Sequence, residues 1–201
     1  MIQLRPATFA HHALVVVLGL TTLAGLPGCA PLPFFGAAAG SAMMANDRRS
    51  AGTIIDDNGI ELKLGNKIAS DKALADKVHV NATCYNKTLL LTGEVPSEEI
   101  RDQIIALAGT IDGVTQVYNS LDISVPTEYK SRNFDTWVTA KAKSKMISRK
   151  ELEATHVKVV TENAVVYLMG MVKHADADAA AQTASEIEGV KRVVKVFEYL
   201  D

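Results

Sequence analysis

The sequence predicts an α+β fold made of two tandem copies of one αββαβ unit, each with two helices packed on a three-stranded mixed sheet. Three observations predict it. The segment His79–Gly93 aligns without a gap with His156–Gly170. Ile111-Asp-Gly-Val114 returns as Ile187-Glu-Gly-Val190. Upstream of both, apolar residues at near four-residue spacing pair Ile60, Leu64, Ile68 and Leu74 with Val138, Ala142, Met146 and Leu152. Self-similarity at a fixed period marks a duplicated unit. The copies fall near 58–124 and 134–200.

Each copy reads in the same order. The four-residue apolar spacing predicts a first helix. A strand from Val78 to Tyr85 alternates in character, and Asn86-Lys87, matched by Asn163-Ala164, forms a tight hairpin turn. The return strand from Thr88 to Leu91 is a continuous apolar run that Gly93 ends, as Gly170 does in the second copy. A second helix follows, with Ser97 as N-cap and Glu98 and Glu99 in its first turn, where the helix dipole favours anions. Its counterpart starts near Asp176. A glycine turn leads into a final strand, Val114–Leu121 or Val190–Phe197. A core this small is marginal alone, so the two copies are expected to pack together.

The first 28 residues read as an address rather than as structure. Arg5 precedes an apolar stretch from Ala13 to Leu23 that is too short to span a bilayer. The stretch ends in Leu26-Pro-Gly-Cys29, which resembles the lipobox of bacterial lipoproteins, with Pro27 a departure from its usual small residue. Cys29 is the expected lipidation site and first mature residue, carrying acyl chains such as palmitate. Each buried methylene would add about 0.8 kcal/mol of anchoring. Ala30 at the next position favours sorting to the outer membrane, facing the periplasm. Residues 29–55 read as a flexible tether, 56–125 as the first domain, 126–133 as a linker and 134–201 as the second domain.

Charge separates copies that the apolar pattern makes alike. Residues 56–124 hold 6 Lys/Arg against 11 Asp/Glu, net −5, whereas residues 133–201 hold 10 of each. Within the second copy the helix over 135–150 carries Lys141, Lys143, Lys145, Arg149 and Lys150 against Asp135 alone. Trp137 lies about 100° round this helix from the core residue Val138, on the side of Lys141 and Lys145. The matching residue of the first copy is Gly59, so the repeat does not require a large side chain there. A lone Trp beside a lysine row suits a bilayer interface, with the ring at headgroup depth and the ammonium groups on phosphates. Ile147 extends the apolar contact. The ordinary alternative is a solvated helix face and a Trp in a core or domain interface.

The chain offers little for other chemistries. A net charge of −2 argues against nucleic acid. With Cys29 modified, Cys84 has no partner for a disulfide, and its strand position favours burial. His79 and His156 occupy equivalent positions, which favours structural roles, and no carboxylate stands at metal-ligand spacing around either. His174 falls in an expected loop beside Asp176 and Asp178. The Gly109–Gly113 stretch lacks the Lys-Ser/Thr of a phosphate loop. The expectation is therefore no enzyme, no cofactor, no metal and no small-molecule substrate.

At this point a family resemblance is visible. Gly93 and Gly170 after the hairpin strand, with Gly113 and Gly189 before the final strand, give each copy the pattern of a BON domain. The chain as a whole resembles the dual-BON outer-membrane lipoproteins associated with cell division and outer-membrane stress. Arg49–Thr53, Asp56-Asp57, Asp135-Thr-Trp-Val138, Thr161–Asn163, Leu168–Gly170 and Gly189–Arg192 carry that likeness. The resemblance implies anionic-phospholipid binding through the second domain, a role in envelope integrity, and placement toward division sites. The bilayer contact expected from sequence and resemblance together is Trp137, Lys141, Lys143, Lys145, Ile147 and Arg149. The second reading is an adaptor that docks on outer-membrane assembly machinery or a peptidoglycan-associated complex, with Trp137 as a protein hot spot.

Overall fold

A computed structural model describes residues 47–124 and 129–201. Cys29, the signal segment and most of the tether lie outside the described residues, as does the first part of the 126–133 linker. The described elements are α1 (Ala51–Ser70), β1 (His79–Tyr85), β2 (Thr88–Val95), α2 (Glu98–Gly109), β3 (Gln116–Ile123), α3 (Tyr129–Ser148), β4 (Lys158–Glu162), β5 (Val165–Val172), α4 (His174–Ser185) and β6 (Arg192–Tyr199). Each repeat is αββαβ. In each three-stranded sheet the middle strand runs antiparallel to the first and parallel to the last.

Local chemistry sets the elements. The Ser50 hydroxyl accepts from the Thr53 amide at 3.0 Å and starts α1. Ser97 caps α2 as expected, ahead of Glu98 and Glu99. The hairpin turns hold Asn86, Lys87, Asn163 and Ala164 at φ of 47°, 66°, 50° and 63°. Two successive positive φ values make turns whose twist matches the flanking strands. A buried carboxylate clamps each turn. Asp57 on α1 accepts the Asn86 and Lys87 amides at 2.8 and 2.9 Å, and Asp135 on α3 accepts those of Asn163 and Ala164 at 2.9 and 2.8 Å. Each first helix is thereby tied to the hairpin it covers.

Several boundaries differ from the sequence expectation. α1 starts at Ala51, inside the expected tether, because Ser50 supplies the cap. α3 starts at Tyr129, inside the expected linker, and ends at Ser148, so Arg149 and Lys150 lie beyond it. β3 and β6 begin two residues later than expected. His174 is the first residue of α4 rather than a loop residue; its amide and Nδ1 both meet the Asp201 carboxylate. Gly93 and Gly170 do not end their strands but sit inside β2 and β5. At φ +115°, a Cβ on Gly93 would lie 2.0 Å from the His79 carbonyl oxygen; on Gly170 the distance to the His156 oxygen would be 2.2 Å. The glycines are required by close backbone approach, not by strand termination.

Three apolar cores follow from the pleat. Ile60, Leu64, Ile68, Leu89, Leu91 and Ile104 fill the space between the helices and sheet of the first repeat. Val138, Ala142, Met146, Val166, Leu168 and Ala180 do so in the second. Alternate strand residues point to the opposite face of each sheet. There Tyr85, Leu90, Tyr167 and Met169 bury one another, with Tyr118, Val160 and Val194 around them. The two sheets thus pack face to face, with the helices outside. The Ser120 hydroxyl and the Tyr167 phenol bond at 2.5 Å across this interface, and Lys158 reaches Glu61 and the Cys84 carbonyl at 3.0 and 3.1 Å. All residues of the three cores lie between Ile60 and Phe197, so a chain starting at Ala30 keeps the whole described fold.

Cys84 is buried in β1, and its thiol donates to the Asp57 carboxylate at 3.3 Å. Burial, then the Asp57 charge, pushes the thiol up to about 12. Since the thiolate is the reactive form, Cys84 should resist a thiol reagent at pH 8 in the native protein and react within seconds in denaturant. Alkylation rate by mass spectrometry checks this, and rapid native labelling would contradict the burial.

Candidate functional site

α3 carries the features the sequence singled out, and its buried line explains their arrangement. Asp135, Val138, Ala142 and Met146 face the second repeat's core. At 100° per residue the opposite side runs through Trp137, Ala140, Ser144 and Ile147. All four are exposed; Trp137 keeps 47 % and Ile147 68 % of their surface accessible. The two large apolar groups are therefore about 15 Å apart along one outward stripe, with small residues between them. Ordinary surface helices do not need this.

The stripe is held from beneath. The Trp137 ring lies 5.7 Å from that of Phe134, tilted by 31°. Phe134 in turn packs on the second core and fills the space above Gly189, where a Cβ would lie 2.5 Å from its Cζ. Gly189, at φ +84°, thus makes the turn into β6 and also leaves room for the ring that supports Trp137.

The cations divide into two groups. Exposed Lys141 and half-buried Lys145, whose ammonium also reaches the Glu186 carbonyl at 3.5 Å, edge the stripe on the Trp137 side, and Lys143, also exposed, edges it on the Ile147 side. Arg149 lies beyond the end of α3 and is held apart from them. Its guanidinium donates to the Ala179 carbonyl at 3.2 Å and the Thr183 hydroxyl at 2.7 Å, and pairs with Glu151. It links the end of α3 to α4. The residues that remain on the presented face are Trp137, Lys141, Lys143, Lys145 and Ile147. α1 offers a useful contrast. It exposes Ile55 and Leu62, but lies in the repeat of net −5 charge and has no Trp.

A second grouping lies between the repeats and has no trace in linear spacing. His79 and Glu94 are cross-strand partners on β1 and β2, and they face Glu162 at the end of β4. One ligand-capable atom from each lies within 4.8 Å of the others. Glu94 and Glu162 are both buried. Burial raises the Glu162 carboxyl above the ordinary carboxylate value; the Asn81 amide and His79 pull the other way, and Glu94 adds to the rise.

No helix among the described residues is long and apolar enough to cross a membrane. The family model described as BON domain matches residues 56–125 and 134–201. The chain is 42 % identical over 188 residues to the "Outer membrane lipoprotein DolP" of Haemophilus influenzae, covering 94 % of this chain and 96 % of that one. It is 36 % identical over 154 residues to the "21 kDa hemolysin" of Actinobacillus pleuropneumoniae, covering 77 % and 79 %. To the "Osmotically-inducible protein Y" of Escherichia coli it is 29 % identical over 150 residues, covering 71 % and 72 %.

Proposed function

The chain belongs to the BON-domain family, and from that premise we propose that it is a lipid-anchored outer-membrane protein facing the periplasm that binds anionic phospholipid through α3. Its lipobox-like Leu26–Cys29 and its likeness to an outer-membrane lipoprotein support the anchor and the location. The observation that carries the binding reading is the outward stripe of α3. Trp137 and Ile147 reach solvent at either end, and Lys141, Lys143 and Lys145 edge it.

The physics suits a membrane already held nearby by an acyl anchor. The indole favours the headgroup region, and Ile147 adds apolar contact. Each lysine near an anionic surface adds about 1 kcal/mol, and this falls off within a Debye length. The ammonium groups, not the ring, then select anionic over zwitterionic lipid. A role in envelope integrity and enrichment at division sites belong to the same reading and rest on the family resemblance.

The test uses the chain from Ala30, which removes the anchor. It should co-sediment with phosphatidylglycerol vesicles and not with phosphatidylcholine vesicles, with affinity falling steeply between 50 and 300 mM salt, concentrations chosen as about 1.5- to 0.5-nm screening lengths. Lys141→Glu/Lys145→Glu reverses two charges and should weaken binding about a hundredfold or more. Trp137→Ala should weaken it about tenfold, by loss of the interfacial ring. Binding that both variants retain would move the contact elsewhere. Failure of the wild type to bind any vesicle would favour the adaptor reading.

A further inference from the structure

We propose that Phe134 is a positioning residue of the α3 contact: it holds the Trp137 ring in one outward orientation, and Gly189 provides its seat. This role rests on the bilayer reading of α3 and adds what orders the one indole of that face before any lipid arrives.

A tryptophan on a bare helix surface samples several rotamers. A ring three residues earlier restricts it, because side chains at i and i+3 stand side by side on a helix. Phe134 and Trp137 have that spacing, and their rings lie 5.7 Å apart at 31°, within the range of about 4.5–7 Å at which aromatic pairs attract. A partner can position only if it is itself fixed. Phe134 is partly buried against the core of the second repeat. The tip of its ring faces the turn into β6: a Cβ on Gly189 would stand 2.5 Å from Cζ, 3.2 Å from Cε2 and 3.4 Å from Cε1. The ring is thus wedged between the core, the turn and Trp137.

The first repeat shows that the fold does not call for this arrangement. With Ile60 matched to Val138, Phe134 corresponds to the exposed Asp56, and Trp137 to Gly59. Gly113 matches Gly189, and the atom nearest to a Cβ there is Cδ1 of the core residue Ile60, at 3.3 Å. Val138 is one carbon shorter than Ile60, and in the second repeat Phe134 takes the place above the turn glycine. The aromatic pair is therefore absent from one copy of a duplicated unit and present in the copy whose first helix carries the lysine row. That distribution points to the surface rather than to packing. A Trp137 ring already held in place loses less freedom when it enters the headgroup region, which strengthens binding without a new contact. The lysines then select the lipid, and the Phe134–Trp137 pair sets how firmly the ring engages it.

The test compares the chain from Ala30 with Phe134→Leu, Trp137→Ala and the double variant. Leucine keeps an aliphatic group on the core and removes the ring. Trp137 is the only tryptophan, so its fluorescence anisotropy in the free protein reads its order directly. Phe134→Leu should show a lower anisotropy with a thermal midpoint close to that of the wild type. Its affinity for phosphatidylglycerol vesicles should fall about three- to tenfold, with unchanged salt dependence because the lysines are untouched. Adding Phe134→Leu to Trp137→Ala should weaken binding no further, since Phe134 acts through the indole. Phe134→Met, whose flexible side chain fills irregular gaps, repeats the comparison if leucine destabilises the fold. A residue that only packs the core would leave the anisotropy unchanged, or would weaken binding equally with and without Trp137; either result overturns the role. Wild-type binding with an unaffected Phe134→Leu leaves the bilayer contact standing and removes Phe134 from it. Absence of wild-type binding removes the contact itself, whatever the anisotropy shows.

Discussion

Gly93→Ala is expected to unfold the first repeat. The new Cβ would stand 2.0 Å from the His79 carbonyl oxygen and 2.9 Å from its carbon, both backbone atoms of the neighbouring strand. No rotamer change relieves a clash with backbone, so the β1–β2 pairing must open or shift. The residue also holds φ +115°, where a side chain is strained even in open space. The cost should be about 4 kcal/mol or more, against a total stability of about 5–15 kcal/mol for a domain. Gly109→Ala is the natural comparison: a Cβ there meets nothing within 4 Å. It should be neutral, or stabilising by up to about 1 kcal/mol. Urea unfolding of both variants checks the contrast. A Gly93→Ala midpoint near the wild-type value would mean that the strands do not approach so closely.

Asp57→Ala should have the next largest effect. This carboxylate is almost wholly buried, accepts both hairpin amides, receives the Cys84 thiol and pairs with Arg49 at 2.8 Å. Arg49 is itself held over the Tyr85 ring, 4.0 Å from its centroid, so its charge cannot relax into water without losing that contact. Truncating Asp57 leaves the part-buried Asn86 and Lys87 amides without their acceptor and removes one of the two carboxylates paired with Arg49, which keeps Asp47, a loss of about 2–4 kcal/mol. The same group gives the first repeat a pH dependence. Burial alone would raise the Asp57 carboxyl, but the Lys87 amide, Arg49, the Cys84 thiol and the Asn86 amide outweigh it and hold it below the ordinary value of 3.8. A carboxyl lowered by folding contributes stability that is complete above its unfolded value and lost as pH falls through the folded one. The wild type should therefore lose stability below about pH 4, and Asp57→Asn, already weakened at neutral pH, should lose less over that range. Thermal midpoints from pH 7 to pH 2.5 measure the difference.

The duplicated αββαβ order was legible because apolar periodicity survives loop changes. Val138, Ala142 and Met146 keep the register of Ile60, Leu64 and Ile68, and all six are buried. The continuous apolar run at Thr88–Leu91 also carried more than its strand assignment: a strand apolar on both sides is covered on both sides, and Leu90 is indeed buried between the sheets. Gly93 was legible as a special residue but not as a close approach, since its partner is a backbone oxygen that sequence does not display. Ser50 and the start of α3 were missed for a different reason. Helix ends depend on caps and on turns that precede the periodic stripe.

The presented face of α3 was largely visible beforehand, because a helix fixes which residues share a side. The contacts of Arg149 were not legible, because it lies one residue past the helix end, where 100° steps no longer apply. His79, Glu94 and Glu162 were invisible together. Their meeting depends on the strand register that pairs positions 79 and 94 and on the docking of two sheets, neither of which linear spacing encodes.

Trp137 is the only tryptophan of the chain, so its emission reports the proposed bilayer contact without any label. The most direct measurement is the fluorescence of the chain from Ala30 on addition of phosphatidylglycerol vesicles at low salt. The expected result is a blue shift, with quenching by brominated acyl chains, and no shift with phosphatidylcholine or after Lys141→Glu/Lys145→Glu. An unchanged emission maximum in protein that co-sediments with the vesicles, or an equal shift with both lipids, would contradict binding of anionic phospholipid through α3.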